Sequence, residues 1–512
     1  MKRTLLLITV IAAAIMELID TSIVNVALSH MSGNLGATLE DTSWVITAYA
    51  IANVIIIPLT SFLANKLGRR NYYIGSVVAF TFFSLMCGQA TNIWTLVVFR
   101  FLQGIGGGAL LSISQVIVFE LFPKEKQAAA SALFGIGVFV GPTIGPTLGG
   151  FITENYSWPW IFYINVPIGI IVAFLCYILL PEPADKPKSA RIDWPGIFLL
   201  AIGIGSLQTV LERGEADDWF EAGYIVALSV TAFFGLLLFI WWELTTSTPA
   251  VNLRVLKNRN LSLAAILTFV SGVGLFSSVF LTPVFAQRLL NFTPTQTGLL
   301  LLPGAILAIG GLIISARLLQ RGVSPVVIIT TGMLLFVLFS WQMSGYNLDA
   351  GASDLTTSLI WRGVGLAMVT VPLTALGVSS LSPQDIPQGA ALNNMMRQLG
   401  GSFGVAIVNT YLAQRNAVHR SDLVANITPD NPIATRRLAD YTQYFAAKGA
   451  TILDAKKKAL GLIDAGITRQ SNLLSFDDAY LLIGLVFLCS LPLLLLASKG
   501  KAGKVQVILS DH

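Results

Sequence analysis

The chain has 512 residues, of which 54% are hydrophobic and only 12% are charged, and its mean hydropathy is +0.73. Soluble domains carry about 25% charged residues, so this composition excludes an ordinary soluble protein. The formal net charge of +5 is small, and its basic residues follow a membrane-topology pattern, so it does not indicate nucleic-acid binding.

Apolar runs recur along the whole chain, and each is long enough to cross a bilayer, which takes about 20 residues of helix. We count fourteen runs: 6–28, 43–63, 73–91, 94–119, 128–152, 160–180, 194–212, 223–243, 262–285, 297–319, 323–343, 357–379, 389–413 and 478–498. The first run lacks a small-residue cleavage site, so we interpret it as a retained helix rather than a signal peptide. The sequence predicts an all-α polytopic membrane protein.

Basic residues mark one side of the membrane. The loops that join even-numbered to odd-numbered runs hold Lys66, Arg69, Arg70, Lys124, Lys126, Lys186, Lys188, Arg191, Arg254, Lys257, Arg259, Arg317 and Arg321. Short loops on the other side hold only Arg213 and Arg288. Both termini are also basic. The positive-inside rule therefore predicts that both termini and the basic loops face the cytoplasm.

The first run carries the deepest acidic residues. Glu17 and Asp20 are three residues apart and share a helix face. Charged groups at this depth are unfavourable in a membrane and are functional candidates by default. The other candidates, Glu120, Glu212 and Glu243, fall at run ends, where we expect water to reach them. If transport is coupled to protons, Glu17 or Asp20 carries them.

Arg100, in the fourth run, is the expected partner of Asp20. Pairing in one state and protonation of Asp20 in the other would make a switch, whereas the alternative is a static buried ion pair. We find no phosphate-binding Gly-Lys-Ser/Thr loop, and the three cysteines lack metal or disulfide spacing. We therefore expect no enzyme activity, catalytic residue, metal or cofactor, and an ion gradient as the energy source.

The fifth run combines regularly spaced glycines with two prolines: Gly137, Gly141, Pro142, Gly145, Pro146 and Gly149. Glycine at every fourth position gives a face that another helix can approach closely. Each proline removes a backbone donor and lets the helix bend. The simpler interpretation is a packing seam, and the stronger one is a bendable helix in a transporter that changes shape.

A weak internal repeat divides the chain. Residues 100–106 (RFLQGIG) are echoed by 362–366 (RGVGL), and Ser61 and Gly68 are echoed by Ser315 and Gly322. This pairing relates runs one to six to runs nine to fourteen and leaves two inserted runs, an arrangement typical of transporters. The predicted units are 1–182, 183–260, 261–498 with a long outer loop at 414–475, and a cytoplasmic tail at 499–512.

The second half holds two deep basic residues, Arg362 and Arg397. Arg397 follows Asn393 by one turn, and either binds an anionic substrate group or caps carbonyls of a broken helix. Phe276 and Phe280 belong to an aromatic stripe in run nine, which packs against helices or lipid or else lines an apolar pocket. In the outer loop, residues 441–462 are predicted to be helical, with an apolar patch that suggests a docking surface.

Four stretches in order carry a family resemblance. They are 18–28 (LIDTSIVNVAL), 61–70 (SFLANKLGRR), 100–108 (RFLQGIGGG) and the glycine helix at 137–150, with 158–169 (WPWIFYINVPIG) also similar. The chain resembles the fourteen-helix drug:proton antiporter branch of the major facilitator superfamily, the EmrB/QacA type. This implies the major facilitator fold, with two six-helix bundles plus two inserted helices.

The resemblance also implies roles. It places the family's first-helix acid at Asp20 and its antiporter motif at 137–150. It implies a cytoplasmic gating loop, in which the sequence departs from the family by having Asn65 in place of an aspartate. That loop comprises Asn65, Lys66, Gly68, Arg69 and Arg70, whose basic members are also explained by topology alone. The expected substrate pathway comprises Asn25, Tyr49, Asn53, Gln103, Phe276, Phe280, Asn393 and Arg397.

The function implied is proton-coupled export of small hydrophobic drugs or toxic compounds by alternating access. In Gram-negative relatives, this type of permease works with a periplasmic adaptor and an outer-membrane channel. A metabolite or siderophore exporter would share the fold and motifs. A proton-coupled importer or a non-transporting scaffold fits less well, because the glycine helix is of the antiporter type and the deep carboxylates would have no purpose in a scaffold.

Overall fold

The structure is a computed structural model that describes residues 2–122, 127–181, 192–379, 381–382 and 384–496. Within these ranges the regular structure is helical and contains no β-strand, which confirms the predicted all-α fold. Some predicted cytoplasmic residues lie outside the described ranges, namely the tail 499–512 and Lys124, Lys126, Lys186, Lys188 and Arg191.

Sixteen α-helices are present in the described part of the chain. They are α1 (Lys2–Leu35), α2 (Leu39–Leu67), α3 (Arg69–Gly88), α4 (Ile93–Glu120), α5 (Gln127–Asn155), α6 (Trp160–Tyr163), α7 (Asn165–Leu179), α8 (Trp194–Arg213), α9 (Gly223–Thr245), α10 (Arg259–Arg288), α11 (Pro294–Gln320), α12 (Pro325–Met343), α13 (Ala352–Ser379), α14 (Ile386–Ala425), α15 (Pro432–Ala447) and α16 (Ile452–Ser490).

Thirteen helical segments among the described residues are long and apolar enough to cross a membrane, with α6 and α7 forming one of them. The remaining predicted run, 389–413, lies in α14. This helix is more polar because its buried face carries Gln388, Asn393 and Asn394. We count α14 as the fourteenth crossing because it packs along α10, as α5 packs along α1.

The helices form two similar bundles. In the first, α1 packs along α5, and α4 packs against α2 and α3; in the second, α10 packs along α14, and α13 packs against α11 and α12. The inserted helices α8 and α9 pack on each other, and α8 contacts α2. The bundles meet where α5 lies on α11 and α14 lies on α2. This is the predicted arrangement of two six-helix bundles plus two inserted helices.

The two repeated glycines end equivalent helices. Gly68, between α2 and α3, has φ +80°, and Gly322, between α11 and α12, has φ +83°. Only glycine adopts this left-handed backbone readily. The sequence echo therefore corresponds to the same sharp turn in both halves.

The predicted outer loop at 414–475 is largely helical. Helix α14 continues to Ala425, α15 follows, and α16 starts at Ile452. The single helix expected over 441–462 is wrong, because α15 ends at Ala447 and Gly449 turns the chain with φ +90°. Arg420 of α14 pairs with Asp464 of α16 at 2.5 Å, which joins the parts of these two helices that extend beyond the bundle. We call residues 414–475 the helical hairpin.

Candidate functional site

The centre of the first bundle holds a buried charge cluster. Arg100 Nη1 donates to Asp20 Oδ2 at 2.6 Å, and both side chains are almost completely buried. Gln103 Nε2 donates to Asp20 Oδ1 at 3.1 Å. The Arg100 guanidinium also lies 4.2 Å from the centre of the Tyr49 ring, a cation–π contact. The structure thus brings together the predicted acid, its predicted arginine and Gln103.

Glycines on α4 make this close approach possible. A Cβ at Gly104 would lie 2.6 Å from the backbone oxygen of Tyr49, and one at Gly108 would lie 2.9 Å from the backbone oxygen of Asn53. Without these glycines, α2 could not pack close enough to α4 for Tyr49 to cover Arg100. The RFLQGIGGG motif therefore supplies the Arg100 guanidinium and also the glycines that let α2 pack closely beside it.

Sequence reasoning missed one member of the cluster, Asn165. Its Nδ2 donates to Asp20 Oδ1 at 2.8 Å and to Ser84 Oγ at 3.1 Å. Asn165 is the first residue of α7, directly after a break that separates it from α6. The only signal was its place in the 158–169 stretch, since a single amide has no periodicity or charge to identify it.

Glu17 lies beside this cluster but is bonded differently. Its Oε1 accepts from Asn53 Nδ2 at 3.0 Å and from Tyr49 Oη at 3.4 Å. Its Oε2 is buried without a hydrogen-bond partner among the described residues. Tyr49 and Asn53, which we expected in a substrate pathway, therefore hold this carboxyl group in place. A buried carboxyl oxygen without a protein partner is suited to gaining or losing a proton.

The glycine face of α5 packs directly onto α1. A Cβ at Gly141 would lie 2.5 Å from Leu18 Cβ, and one at Gly149 would lie 2.8 Å from the backbone oxygen of Ile23. A Cβ at Gly145 would overlap Ser22. The acidic residues and this seam thus share one helix, which the sequence alone did not predict.

Other faces of α5 contact the second bundle. Helix α5 packs along α11 and against α13. Near the end that we assign to the outer side, Thr295 Oγ1 donates to Glu154 Oε2 at 3.1 Å. Helix α5 therefore lies between the acidic helix α1 and the second bundle, so a movement of α5 would change the packing of both.

The predicted pathway residues of the second half are dispersed. Asn393 is buried, and Arg397 is half-buried, with Nη1 lacking a hydrogen-bond partner among the described residues. Neighbouring Asn394 Nδ2 donates to Gln115 Oε1 at 2.9 Å, a bond between the bundles. In the first half, Asn25 is exposed on α1. Among the described residues, a cavity between the bundles is lined by none of these predicted pathway residues.

The two phenylalanines of run nine serve packing. A Cβ at Gly401 would lie 2.5 Å from Phe276 Cδ2, so this ring fits a notch on α14. Phe280 is half-buried against the core of the second bundle. Both observations favour the helix-packing interpretation over the pocket.

The predicted gating loop is anchored within the first bundle. Arg69 pairs with Glu120 at the end of α4. Arg70 Nη2 donates to the backbone oxygen of Tyr177 at 2.6 Å, and its guanidinium lies 5.1 Å from that ring centre. Asn65 is exposed, at the end of α2. In this conformation the described contacts of Arg69 and Arg70 hold α3 to α4 and α7.

One expectation about the run ends is wrong. Glu243 is completely buried rather than accessible to water, because the chain after α9 folds over it. Its Oε2 accepts from the backbone nitrogen of Val251 at 3.3 Å. Asp193 lies nearby and accepts from Trp242 Nε1 at 2.8 Å. Asp193 caps the start of α8 by accepting from the backbone nitrogen of Gly196, and Glu243 holds the segment that follows α9. Glu120 is exposed, as expected.

Known proteins resemble this chain over nearly its whole length. Residues 10–405 match the Major Facilitator Superfamily. The fatty acid resistance protein FarB of Neisseria gonorrhoeae is 34% identical over 95% of this chain and 94% of its own. The multidrug export protein EmrB of Escherichia coli K12 is 34% identical over 94% of this chain and 92% of its own.

A solved structure shares the fold. The crystal structure of the human organic anion transporter MFSD10 (TETRAN) aligns with a TM-score of 0.58, covering 95% of this chain and 99% of its own. Only 13% of the aligned residues are identical, so this similarity concerns the fold alone.

Proposed function

This chain belongs to the major facilitator superfamily, and we propose that it is a proton-coupled exporter of hydrophobic toxic compounds. The observation that carries the proposal is the buried cluster of Glu17, Asp20 and Arg100. Burying two carboxyl groups and one guanidinium inside a membrane bundle costs free energy. Groups retained at that cost are functional candidates. Full-length similarity to a multidrug export protein supports the direction of transport and the class of cargo.

The hydrogen bonds and the ion pair suggest different protonation states for Glu17 and Asp20. One guanidinium balances one carboxylate, and the pair Asp20–Arg100 is complete in this conformation. A second charge on Glu17 would be uncompensated in the same cluster, so we infer that Glu17 is neutral here. In the alternate conformation Asp20 takes up a proton and releases Arg100. The cluster then alternates between an ion pair and a protonated acid as the bundles move.

The proposed setting is the inner membrane of a bacterium, with both termini in the cytoplasm. The distribution of lysine and arginine supports this orientation, since the basic loops all lie on one side. Substrate and protons would then move in opposite directions across this membrane. A metabolite or siderophore exporter remains the alternative, and a substrate screen separates the two.

Transport should depend on a proton gradient. In everted membrane vesicles that contain the protein and are acid inside, we expect uptake of a neutral hydrophobic dye above that of empty vesicles. Collapsing the pH gradient with nigericin should stop this uptake, because no other energy source is proposed. Gradient-dependent loss of substrate from the vesicles would instead indicate an importer, and no uptake of any screened compound would contradict the proposal.

We also propose that the helical hairpin docks a periplasmic adaptor that continues to an outer-membrane channel. The turns on either side of α15 expose large apolar side chains: Ile433 is 75% exposed, Ile452 81% and Leu453 67%. Exposed apolar groups outside the membrane are typical of a protein interface. The hydrogen bond of Asn416 to Asn472 at 2.8 Å helps to hold the hairpin in one shape.

Charges at these two turns should prevent adaptor binding. Replacing Ile433, Ile452 and Leu453 together by lysine removes the apolar contact, and we expect the adaptor no longer to co-purify with the membrane-extracted protein. Ala439→Lys adds a charge at an exposed position of α15 and should leave binding unchanged. Full co-purification of the triple variant would exclude this docking surface.

A further inference from the structure

The inserted helices α8 and α9 are connected by a short segment, residues 213–222, at the end that we assign to the outer side. We call these residues the outer turn. Some of its side chains bond to α2 of the first bundle, and others bond to α14 of the second. An element outside both bundles therefore ties them together in this conformation.

Arg213 fixes the outer turn to the first bundle. Its Nη1 donates to Ser43 Oγ at 2.6 Å, and its Nη2 pairs with Glu40 Oε1 at 3.2 Å. The guanidinium also lies 5.3 Å from the centre of the Trp44 ring. The same side chain pairs with Asp217 at 3.0 Å, which holds the turn itself in shape. Charge-assisted contacts of a buried arginine are strong, so we expect the outer turn to stay with α2.

The attachment to the second bundle is lighter. Asn409 Nδ2 of α14 donates to Glu215 Oε2 at 2.6 Å, and Trp219 Nε1 donates to Thr410 Oγ1 at 3.0 Å. All four side chains are half-buried. Water can therefore replace these hydrogen bonds when the turn and α14 separate, so that separation leaves no buried polar group without a partner.

The backbone of the outer turn is strained where it presents Trp219 to α14. Asp218 and Trp219 have φ of +54° and +51°, in the left-handed region that residues with a Cβ seldom adopt. The Trp219 ring packs on the turn as well, since a Cβ at Gly214 would lie 2.6 Å from its Cε3. Strained backbone persists only where its surroundings hold it, and it is typical of segments that switch.

We propose that the outer turn is a latch, which holds the outer ends of the two bundles together and leaves α14 when the transporter opens outward. A further bond between α8 and α14, from Gln208 Nε2 to Ser402 Oγ at 2.8 Å, lies about two helical turns deeper, where a rocking movement separates the bundles less. The task of the inserted helices is then to control how readily the outer side opens. The inference rests on the proposed export by alternating access, for which it names a conformational control.

Spin labels measure the opening of the outer ends directly. Gly33→Cys on α1 and Gln287→Cys on α10, both at exposed outer positions, carry the labels, and the exposed Cys489 is replaced by serine. Distances are recorded by pulsed electron paramagnetic resonance on the full chain in lipid nanodiscs. Asn409→Asp places a second carboxylate against Glu215. We expect it to raise the ratio of long to short distances about tenfold, because a charge-assisted hydrogen bond becomes a repulsion.

Asn347→Asp is the matched control. It makes the same change in an exposed loop of the second bundle, where the side-chain oxygen already accepts from the backbone nitrogen of Asp349, and it should leave the distances unchanged. Trp219→Phe removes the indole donor but keeps a ring, and should shift the distances less than Asn409→Asp and in the same direction. A shift in neither variant would overturn the proposal, as would an equal shift in the control. If Asn409→Asp fails to fold, Trp219→Phe decides alone.

Closing the latch covalently should stop transport. A short bismethanethiosulfonate reagent joins Glu215→Cys to Asn409→Cys, again with Cys489→Ser. We expect gradient-driven uptake of the neutral hydrophobic dye to fall to the level of empty vesicles, and to recover when a reductant cleaves the cross-link. Full uptake by the cross-linked protein would mean that the turn need not leave α14 and would overturn the proposal.

The distances need no transport, so failure of the two proposals can be told apart. Gradient-driven dye uptake with unchanged distances in Asn409→Asp and Trp219→Phe would leave the export function intact and remove the latch. A shift of the distances in Asn409→Asp without gradient-driven uptake of any compound by the unaltered protein would support the latch and contradict the export function.

Discussion

Gly145→Val is expected to reduce gradient-driven transport to the level of empty vesicles while substrate binding persists. A Cβ at this position overlaps Ser22, so two more methyl groups would separate α5 from α1. Forcing methyl groups into a close-packed contact typically destabilises it by about 1–3 kcal/mol. We expect this strain to impair the conformational change, because α5 must bend and slide against α1 when the transporter alternates between its inward-facing and outward-facing states. Transport in everted vesicles and equilibrium binding of the same compound measure the two effects.

A matched substitution separates local crowding from a general effect of valine in a membrane helix. Gly75→Val on α3 meets nothing within 4 Å and should transport normally. If Gly145→Val also transports normally, the seam between α1 and α5 does not take part in the movement. If it loses binding and transport together, the seam is required for the fold and not specifically for the conformational change.

Asp20→Asn is expected to abolish gradient-driven export and to retain exchange of substrate for substrate. Asparagine preserves the shape of the side chain and can accept from Gln103, but it cannot exchange a proton or form an ion pair with Arg100. Exchange across the membrane needs the bundles to move and needs no net proton transfer. Counterflow of labelled substrate in proteoliposomes, compared with uptake under a pH gradient, measures this difference.

The variant also leaves Arg100 without its counterion. Removing one member of a buried pair destabilises proteins by about 3–5 kcal/mol, so reduced expression alone would carry no information. Adding Arg100→Gln to Asp20→Asn removes the unpaired charge and should restore the thermal stability of the purified protein. Export should stay absent in this double variant. Recovery of export together with stability would mean that Asp20 and Arg100 form a static ion pair.

Much of the fold follows from the sequence because a membrane restricts it so strongly. Runs of about 20 apolar residues must be helices, and the basic loops give the order of crossings. The pairing of Asp20 with Arg100 was predictable for a related reason, since opposite charges at depth in one bundle must meet. The repeat at Gly68 and Gly322 was visible because a left-handed turn admits little but glycine.

The sequence was less informative where a feature depends on its neighbours. The glycine spacing of α5 predicted a close contact but could not identify α1 as the partner. The position of Glu243 at a run end suggested water, whereas its exposure depends on the segment that folds back over it. The break at Gly449 was hidden between two stretches that both favour helix. Asn165 had no signal beyond its place in the 158–169 stretch, because a single neutral amide has no periodicity or charge to identify it.

These features assign different tasks to neighbouring helices. Helix α1 carries the two acids, α4 supplies the guanidinium, and α5 contacts α1 on one side and the second bundle on the other. Coupling in this account is a mechanical consequence of these contacts, through which a movement of the second bundle alters the surroundings of Asp20.

Substrate-induced proton release from the purified protein tests the exchange of proton for substrate at Asp20 most directly. A hydrophobic substrate is added to weakly buffered protein, and the change in pH is followed with a soluble indicator. We predict acidification by the unaltered protein, acidification retained at least in part by Glu17→Gln, and none by Asp20→Asn, although Asp20→Asn still binds the substrate. Equal proton release from Asp20→Asn and the unaltered protein would contradict the account.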